Sequence, residues 1–196
     1  NNSAYVQKVI PSTRKDTNLF SLSSTKKLIE DVQPDVVVNA AAKVGGIVYN
    51  NTKRTDFILE NLKINMNLLE ASINHNKMMI INLGSSCIYP LNAENPIKEE
   101  SFMSGKLEPT NSPYAMAKLS AIEIGRSLKA EYGHKIINLM PTNLYGPNDF
   151  FHPELGHVIP SLMFRMHHAK LAGDSELKLW GTGKPLRELV HYLQPI

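Results

Sequence analysis

The feature that most constrains this chain is a repeated alternation. Short apolar or β-branched runs, Val36–Asn39, Met78–Leu83 and Ile136–Met140, are separated by stretches that repeat with helical period. An unbroken apolar run of this length reads as a buried strand of the parallel-sheet type. Strands that alternate with helices predict an α/β fold, a doubly wound parallel sheet of Rossmann type.

The boundaries follow from local chemistry. Val6–Ile10 reads as a strand leading into Pro11-Ser12-Thr13-Arg14. Ser24–Asp31 reads as a short helix capped by Ser23 or Ser24. Pro34 and Ala40–Ala42 bound Val36–Asn39. A long helix is expected over about Thr55–Asn74, where Leu59, Leu62, Met66, Leu69 and Ile73 recur every three or four residues and share a face. Ser112-Pro113 opens another helix, with serine as cap and proline in the first turn, where a missing N–H costs nothing. Gly133 stops it. Leu177–Trp180 reads as a further strand. In such sheets ligands bind beyond the carboxyl ends of the strands, so Ala40–Ala42, Gly84–Cys87 and Pro141–Tyr145 are the loops to search.

Composition narrows the class. A 42% hydrophobic and 20% charged chain of 196 residues suits a globular domain, or one domain with part of another. No segment has the roughly 18 consecutive apolar residues of a membrane span, and the N-terminus lacks the pattern of a secretory signal. One cysteine excludes an internal disulfide and fits a reducing compartment, so a cytoplasmic location is expected. The net charge of +3 is scattered, with no basic cluster for nucleic acid.

Tyr114 and Lys118 are four apart near a helix start and project from one face. A phenol ionises near pH 10, and an ammonium nearby favours phenolate and draws that value toward neutrality. Ser85, on another strand-end loop, has a hydroxyl suited to a substrate oxygen. Tyr-x-x-x-Lys alone is a common surface pair. Its position, opening a capped helix after a strand that ends in Gly84-Ser85-Ser86, gives it chemical meaning.

These residues resemble the extended short-chain dehydrogenase/reductases. The segments that carry the resemblance are Ala40-Ala41-Ala42-Lys43-Val44-Gly45-Gly46-Ile47, Leu83-Gly84-Ser85-Ser86-Cys87-Ile88-Tyr89-Pro90 and Glu108-Pro109-Thr110-Asn111-Ser112-Pro113-Tyr114-Ala115. Met140-Pro141-Thr142-Asn143-Leu144-Tyr145-Gly146-Pro147, Phe151-His152-Pro153, His157-Val158-Ile159-Pro160, Trp180-Gly181-Thr182-Gly183 and Arg187-Glu188 continue it in family order. They match a branch that uses NADPH to epimerise carbons 3 and 5 of GDP-4-keto-6-deoxy-D-mannose and reduce its C4 ketone, giving GDP-L-fucose.

The resemblance implies roles. Tyr114 donates the proton to the C4 oxygen, Lys118 tunes it and holds the nicotinamide ribose, and Ser85 orients the ketone. Cys87 and His157 match the acid/base pair for epimerisation, both having pKa values near enough to neutral to exchange protons. Outside this context each residue is ordinary: a lone cysteine packs as a small hydrophobe, and a histidine is often structural. Arg14 suits the 2′-phosphate of NADP and is equally readable as a solvated loop charge. Ala41, Pro141, Asn143 and Leu144 fall where the family's backbone lines the nicotinamide end. Arg165 and Arg187 match positions that meet the substrate diphosphate, and Trp180 matches a pocket aromatic, with edge-strand packing as its other reading. No metal site is expected. The Leu59–Ile73 stripe either packs on the sheet or, as in the family, joins the Tyr114 helix in a four-helix seam, so a homodimer is implied.

Two departures bear on organisation. The family begins with a strand and a Gly-x-x-Gly-x-x-Gly turn that cradles the pyrophosphate, and nothing here matches it. After His191 the sequence leaves the family pattern. The expected organisation is an NADP-binding domain over 1–150, incomplete at its N-terminus, and the start of a substrate region over 151–196, incomplete at its C-terminus. The alternatives are a truncated, non-catalytic homologue that keeps the fold for binding or dimerisation, and a sibling nucleotide-sugar epimerase or dehydratase.

Overall fold

The computed structural model describes residues 5–184 and 186–193; Gln194–Ile196, part of the divergent tail, lie outside the described residues. Three parallel strands, β1 (Val36–Asn39), β2 (Met79–Leu83) and β3 (Lys135–Leu139), form a sheet in the order β1-β2-β3. Helices α1 (Leu22–Val32), α3 (Arg54–Ala71) and α4 (Ser112–Tyr132) pack on one face, where Ile29, Leu68, Leu69, Ile80, Ala121 and Leu128 form the core. A short α2 (Ile47–Thr52) precedes α3.

The caps differ from expectation by a residue or more. Ser21, not Ser23 or Ser24, caps α1: its hydroxyl accepts the Ser24 N–H at 3.3 Å. Helix α4 starts with Ser112 and Pro113 already inside it, and the cap position falls to Asn111. Gly133 ends α4 as expected, at φ 73, a left-handed value that glycine adopts without a side-chain clash.

Register is held by a polar ladder. Asn39, Asn82 and Asn138 lie side by side across the three strands. Asn39 Nδ2 donates to Asn82 Oδ1 at 3.0 Å and Asn82 Nδ2 to Asn138 Oδ1 at 3.1 Å. Asn65 of α3 joins them, accepting from Asn39 and donating to the Ala117 carbonyl of α4. A slip of one residue would bury these amides without partners, which costs more than the bonds contribute when made. The ladder therefore fixes where the strand ends sit beneath α3 and α4.

Four expected features differ. Val6–Ile10 is irregular and exposed, because a strand needs a ladder partner and, among the described residues, β1 pairs only with β2. Leu177–Trp180 is irregular too, with Trp180 61% exposed. The strands of this half are instead β4 (Asn143–Tyr145) and β5 (Leu189–His191), a short parallel pair. On α3 the buried face is Phe57, Asn61, Ile64, Asn65, Leu68 and Leu69, whereas Leu59 and Met66 of the expected stripe point outward, each 48% exposed. Among the described residues the strands are also not covered on both faces: Val36, Val38, Ile137 and Leu139, alternate to the core positions, are exposed. The last helix, α5 (Val158–Ala172), follows His157.

Candidate active site

The loops at the carboxyl ends of β1 and β2 meet the start of α4. Ser85 caps a single helical turn, Ser86–Ile88, its hydroxyl accepting the Cys87 N–H at 3.3 Å. That turn aims the Cys87 side chain at the loop before α4, where Asn111 Nδ2 lies 3.2 Å from Sγ. From the first turns of α4 come Tyr114 and Lys118. The Lys118 ammonium donates to the Leu83 carbonyl at 2.7 Å and lies 5.7 Å from the centre of the Tyr114 ring. Phe57 packs edge-on against Tyr114 at 6.3 Å and against Tyr49 at 5.2 Å. Four sequence-predicted residues thus share one neighbourhood.

The electrostatics correct one expectation. Burial pushes the Tyr114 phenol up to about 12; the Cys87 group pushes the same way, and a hydrogen bond with Ser85 opposes both. Lys118 does not draw it toward neutrality, because its ammonium is held on Leu83 above the ring. Burial lowers the pKa of Lys118 itself. Burial likewise raises the Cys87 thiol and the charge of Glu108 adds to it, against the Ser85 hydrogen bond. The site as folded keeps its acids protonated.

Sequence reasoning gave no role to the residues that brace this cluster. Glu108 accepts the Thr110 N–H at 3.1 Å, the Asn111 N–H at 3.3 Å and the Thr110 hydroxyl. Burial alone would raise the Glu108 carboxyl; the bonds from Thr110 and Asn111 and the Arg54 charge hold it below the ordinary value. Arg54, at the start of α3, donates to the Pro109 carbonyl at 2.7 Å and to Ser112 Oγ at 3.2 Å. On the β1 side, Asn61 clamps Lys43 by both backbone groups, and the Lys43 ammonium pairs with Glu60 at 2.6 Å. The Glu-Pro-Thr-Asn spacing, a carboxylate two residues before a threonine in a turn, was the signal available for Glu108.

The other expected residues lie apart. His157 stands exposed immediately before α5, and no hydrogen bond or ring contact joins it to Cys87 among the described residues. Its loop docks on the β1 loop, however: Gly46 N donates to the Leu155 carbonyl at 3.0 Å, and a Cβ on Gly46 would meet the Gly156 oxygen at 2.7 Å. Arg165 of α5 donates to the Lys178 carbonyl and stacks over Trp180 at 5.2 Å. Arg187 is exposed and donates to the adjacent Leu186 carbonyl. Arg14 is exposed in a turn. Ala41 N is held by Asn39 Oδ1, Pro141 follows β3, and Asn143 and Leu144 lie on β4, where Asn143 Nδ2 donates to the Glu188 carbonyl at 2.9 Å. Beside them the Thr142 hydroxyl is buried without a partner. A cavity of about 310 Å³ lies under α5, lined by Tyr145, Asp149, Phe151, Ile159, Met163 and His191; among the described residues no lysine or arginine and none of the Ser85 cluster borders it.

A sheet with serine, tyrosine and lysine gathered at its carboxyl ends defines a class, and the chain belongs to the NAD dependent epimerase/dehydratase family, whose pattern matches residues 2–193. Its relatives are more particular. It is 44% identical over 183 residues to GDP-L-fucose synthase 1 of Arabidopsis thaliana, covering 93% of this chain and 57% of that one. It is 44% identical over 179 residues to GDP-L-fucose synthase of Escherichia coli K12, covering 91% and 56%. A GDP-L-fucose synthetase from Naegleria fowleri, bound to NADP, superposes with a TM-score of 0.81 at 32% identity, covering 92% of this chain and 55% of that one. The chain thus spans a little over half the length of these relatives. Among the described residues no helix is long and apolar enough to cross a membrane.

Proposed function

We propose that the intact protein converts GDP-4-keto-6-deoxy-D-mannose to GDP-L-fucose with NADPH, as its relatives' names suggest. The observation that supports this most is the meeting of Cys87 with Ser85, Tyr114 and Lys118 at one strand end. Cys87 has no use in simple ketone reduction, so its place beside the reducing residues favours a site that also moves protons at carbon.

The residues divide the work as follows. For epimerisation, one of Cys87 and His157 takes the proton from the carbon next to the ketone. The C–H bond breaks, the electron pair moves onto the carbonyl oxygen as an enolate, and the other residue returns a proton to the opposite face. For reduction, Ser85 orients the C4 oxygen and Tyr114, kept protonated by its burial, delivers the proton. The hydride would come from NADPH, when bound. Lys118, Ala41, Pro141, Asn143 and Leu144 would hold its nicotinamide end, a fit supported by the orphaned Thr142 hydroxyl beside them. Arg14 would meet its 2′-phosphate. Arg165 and Arg187 would take the diphosphate of the substrate, with Trp180 against the sugar or base.

On this reading residues 1–150 serve the cofactor and 151–196 begin the substrate region. The outward face of α3 and α4, with Leu59, Met66 and Met116 about half exposed, supports a homodimer through these helices; Met116→Lys should shift the sedimentation of the intact protein toward monomer. The functional test is to mix the intact protein with NADPH and the keto sugar and follow absorbance and product. GDP-L-fucose is expected; binding of both ligands without that product would defeat the assignment.

A further inference from the structure

Asn111 stands at the cap position of α4, where asparagine is among the residues that best satisfy the free N–H groups of a first turn. Its side chain makes no such bond. The amide is turned instead to Cys87, with Nδ2 3.2 Å from Sγ, and its Oδ1 is buried without a hydrogen-bond partner among the described residues. A residue that gives up its local role and leaves a buried oxygen unpaired is being used elsewhere. The backbone around it is correspondingly fixed: Glu108 accepts the Asn111 N–H, and Arg54 ties down Pro109 and Ser112 on either side.

The sulfur needs such a partner. Cys87 is held against ionisation by burial and by the Glu108 carboxylate from the loop before α4, and is eased toward it by the Ser85 hydroxyl and its own backbone N–H; the Tyr114 phenol from α4 stays protonated beside it. The Lys118 ammonium is committed to the Leu83 carbonyl. Yet whichever partner acts first, an epimerisation that uses Cys87 passes through its thiolate.

We propose that Asn111 is the positioning residue of Cys87: its amide N–H holds the sulfur in place and stabilises the thiolate. The amide of asparagine presents a donor and an acceptor at nearly equivalent positions, exchanged by a half-turn. The same side chain therefore accepts from the thiol through Oδ1 and donates to the thiolate through Nδ2. Matching both protonation states keeps Sγ oriented while its proton is away. This role rests on the assignment of Cys87 to proton transfer at carbon.

The test is the titration of Cys87 in the intact protein, read as the pH midpoint of its alkylation by iodoacetamide and measured on the Cys87 peptide by mass spectrometry. Asn111→Ala should raise the midpoint by about half to one pH unit, through loss of the donor to the thiolate. Asn111→Asp, which keeps the shape and replaces the donor by a like charge, should raise it further; it carries the test if the alanine variant does not fold. In parallel, solvent deuterium entering carbons 3 and 5 of the keto sugar should slow about tenfold in either variant, a charge-assisted hydrogen bond being lost, with the KM for NADPH unchanged. Unaltered midpoints in both variants would overturn the proposal. If the unmutated protein incorporates no deuterium at all, the functional assignment fails, and the midpoints still decide whether Asn111 governs the thiol.

Discussion

The two halves of the candidate site are built differently. At the ends of β1 and β2 nearly every relevant side chain is held by protein: Ser85 on the Cys87 N–H, Cys87 by Asn111, Lys118 by Leu83, with Arg54, Glu108 and Asn61 bracing the loops behind them. From about residue 146 onward, His157, Trp180 and Arg187 are exposed, and Arg165 is held by the Lys178 carbonyl and the Trp180 ring. The reducing residues and Cys87 are preorganised, whereas His157 and Arg187 stand in solvent and Arg165 is half-buried against its own half of the chain. Catalytic groups gain from being fixed before the reaction. Groups that gather a long, flexible ligand gain less.

The comparison can be broken in order of expected effect. Tyr114→Phe removes the proton donor and should lower the reduction rate of the intact protein by about 10²–10⁴-fold, measured as NADPH consumption. If reduction persisted at the normal rate, the preorganised half would not be the reducing centre. Asn82→Ala removes a partner from buried Asn39, which keeps Asn65, and from half-buried Asn138, and should cost about 1–3 kcal/mol in denaturant titration. A change below 0.5 kcal/mol, about the size of a surface substitution, would mean the ladder does not hold the strand ends.

Smaller effects probe the seam between the halves. Gly46→Ala forces a Cβ against the Gly156 carbonyl and should cost about 1–3 kcal/mol by overpacking. It should slow epimerisation more than reduction, since the displaced loop carries His157. Arg187→Ala should change stability by less than about 0.5 kcal/mol, as expected of a solvated side chain, while weakening binding of the GDP-sugar in calorimetry. Equal losses of stability and affinity would place Arg187 in the rigid half. The alkaline limb sharpens the picture further. Folding raises the Tyr114 pKa to about 12, so its contribution is complete below the ordinary phenol value and is lost as pH climbs from there toward 12. The intact protein should lose stability over that window, and Tyr114→Phe should lose less.

Much of the rigid half was legible in the sequence. Strands β1, β2 and β3 are β-branched or isoleucine-rich runs, and α4 announces itself by Ser112-Pro113 and Gly133, because their cues are local. The outward turn of Leu59 and Met66 was not legible. Periodicity shows that residues share a face but not which face is buried, and here Asn61 and Asn65 are drawn inward by the Lys43 backbone and the asparagine ladder. Strands β4 and β5 are three residues each and exist through pairing across some forty residues of chain, which no local pattern encodes. The Asn111–Cys87 contact was hidden for the same reason. Asparagine before a helix reads as a cap, and only the fold shows its side chain turned away.

The most direct measurement compares Cys87→Ser and Tyr114→Phe in the intact protein, with NADPH and GDP-4-keto-6-deoxy-D-mannose in deuterated water. The account predicts that the two functions separate. Cys87→Ser should lose deuterium incorporation at carbons 3 and 5 yet still reduce the ketone, and Tyr114→Phe should incorporate deuterium yet fail to reduce. GDP-L-fucose formed at the normal rate by Cys87→Ser would contradict it.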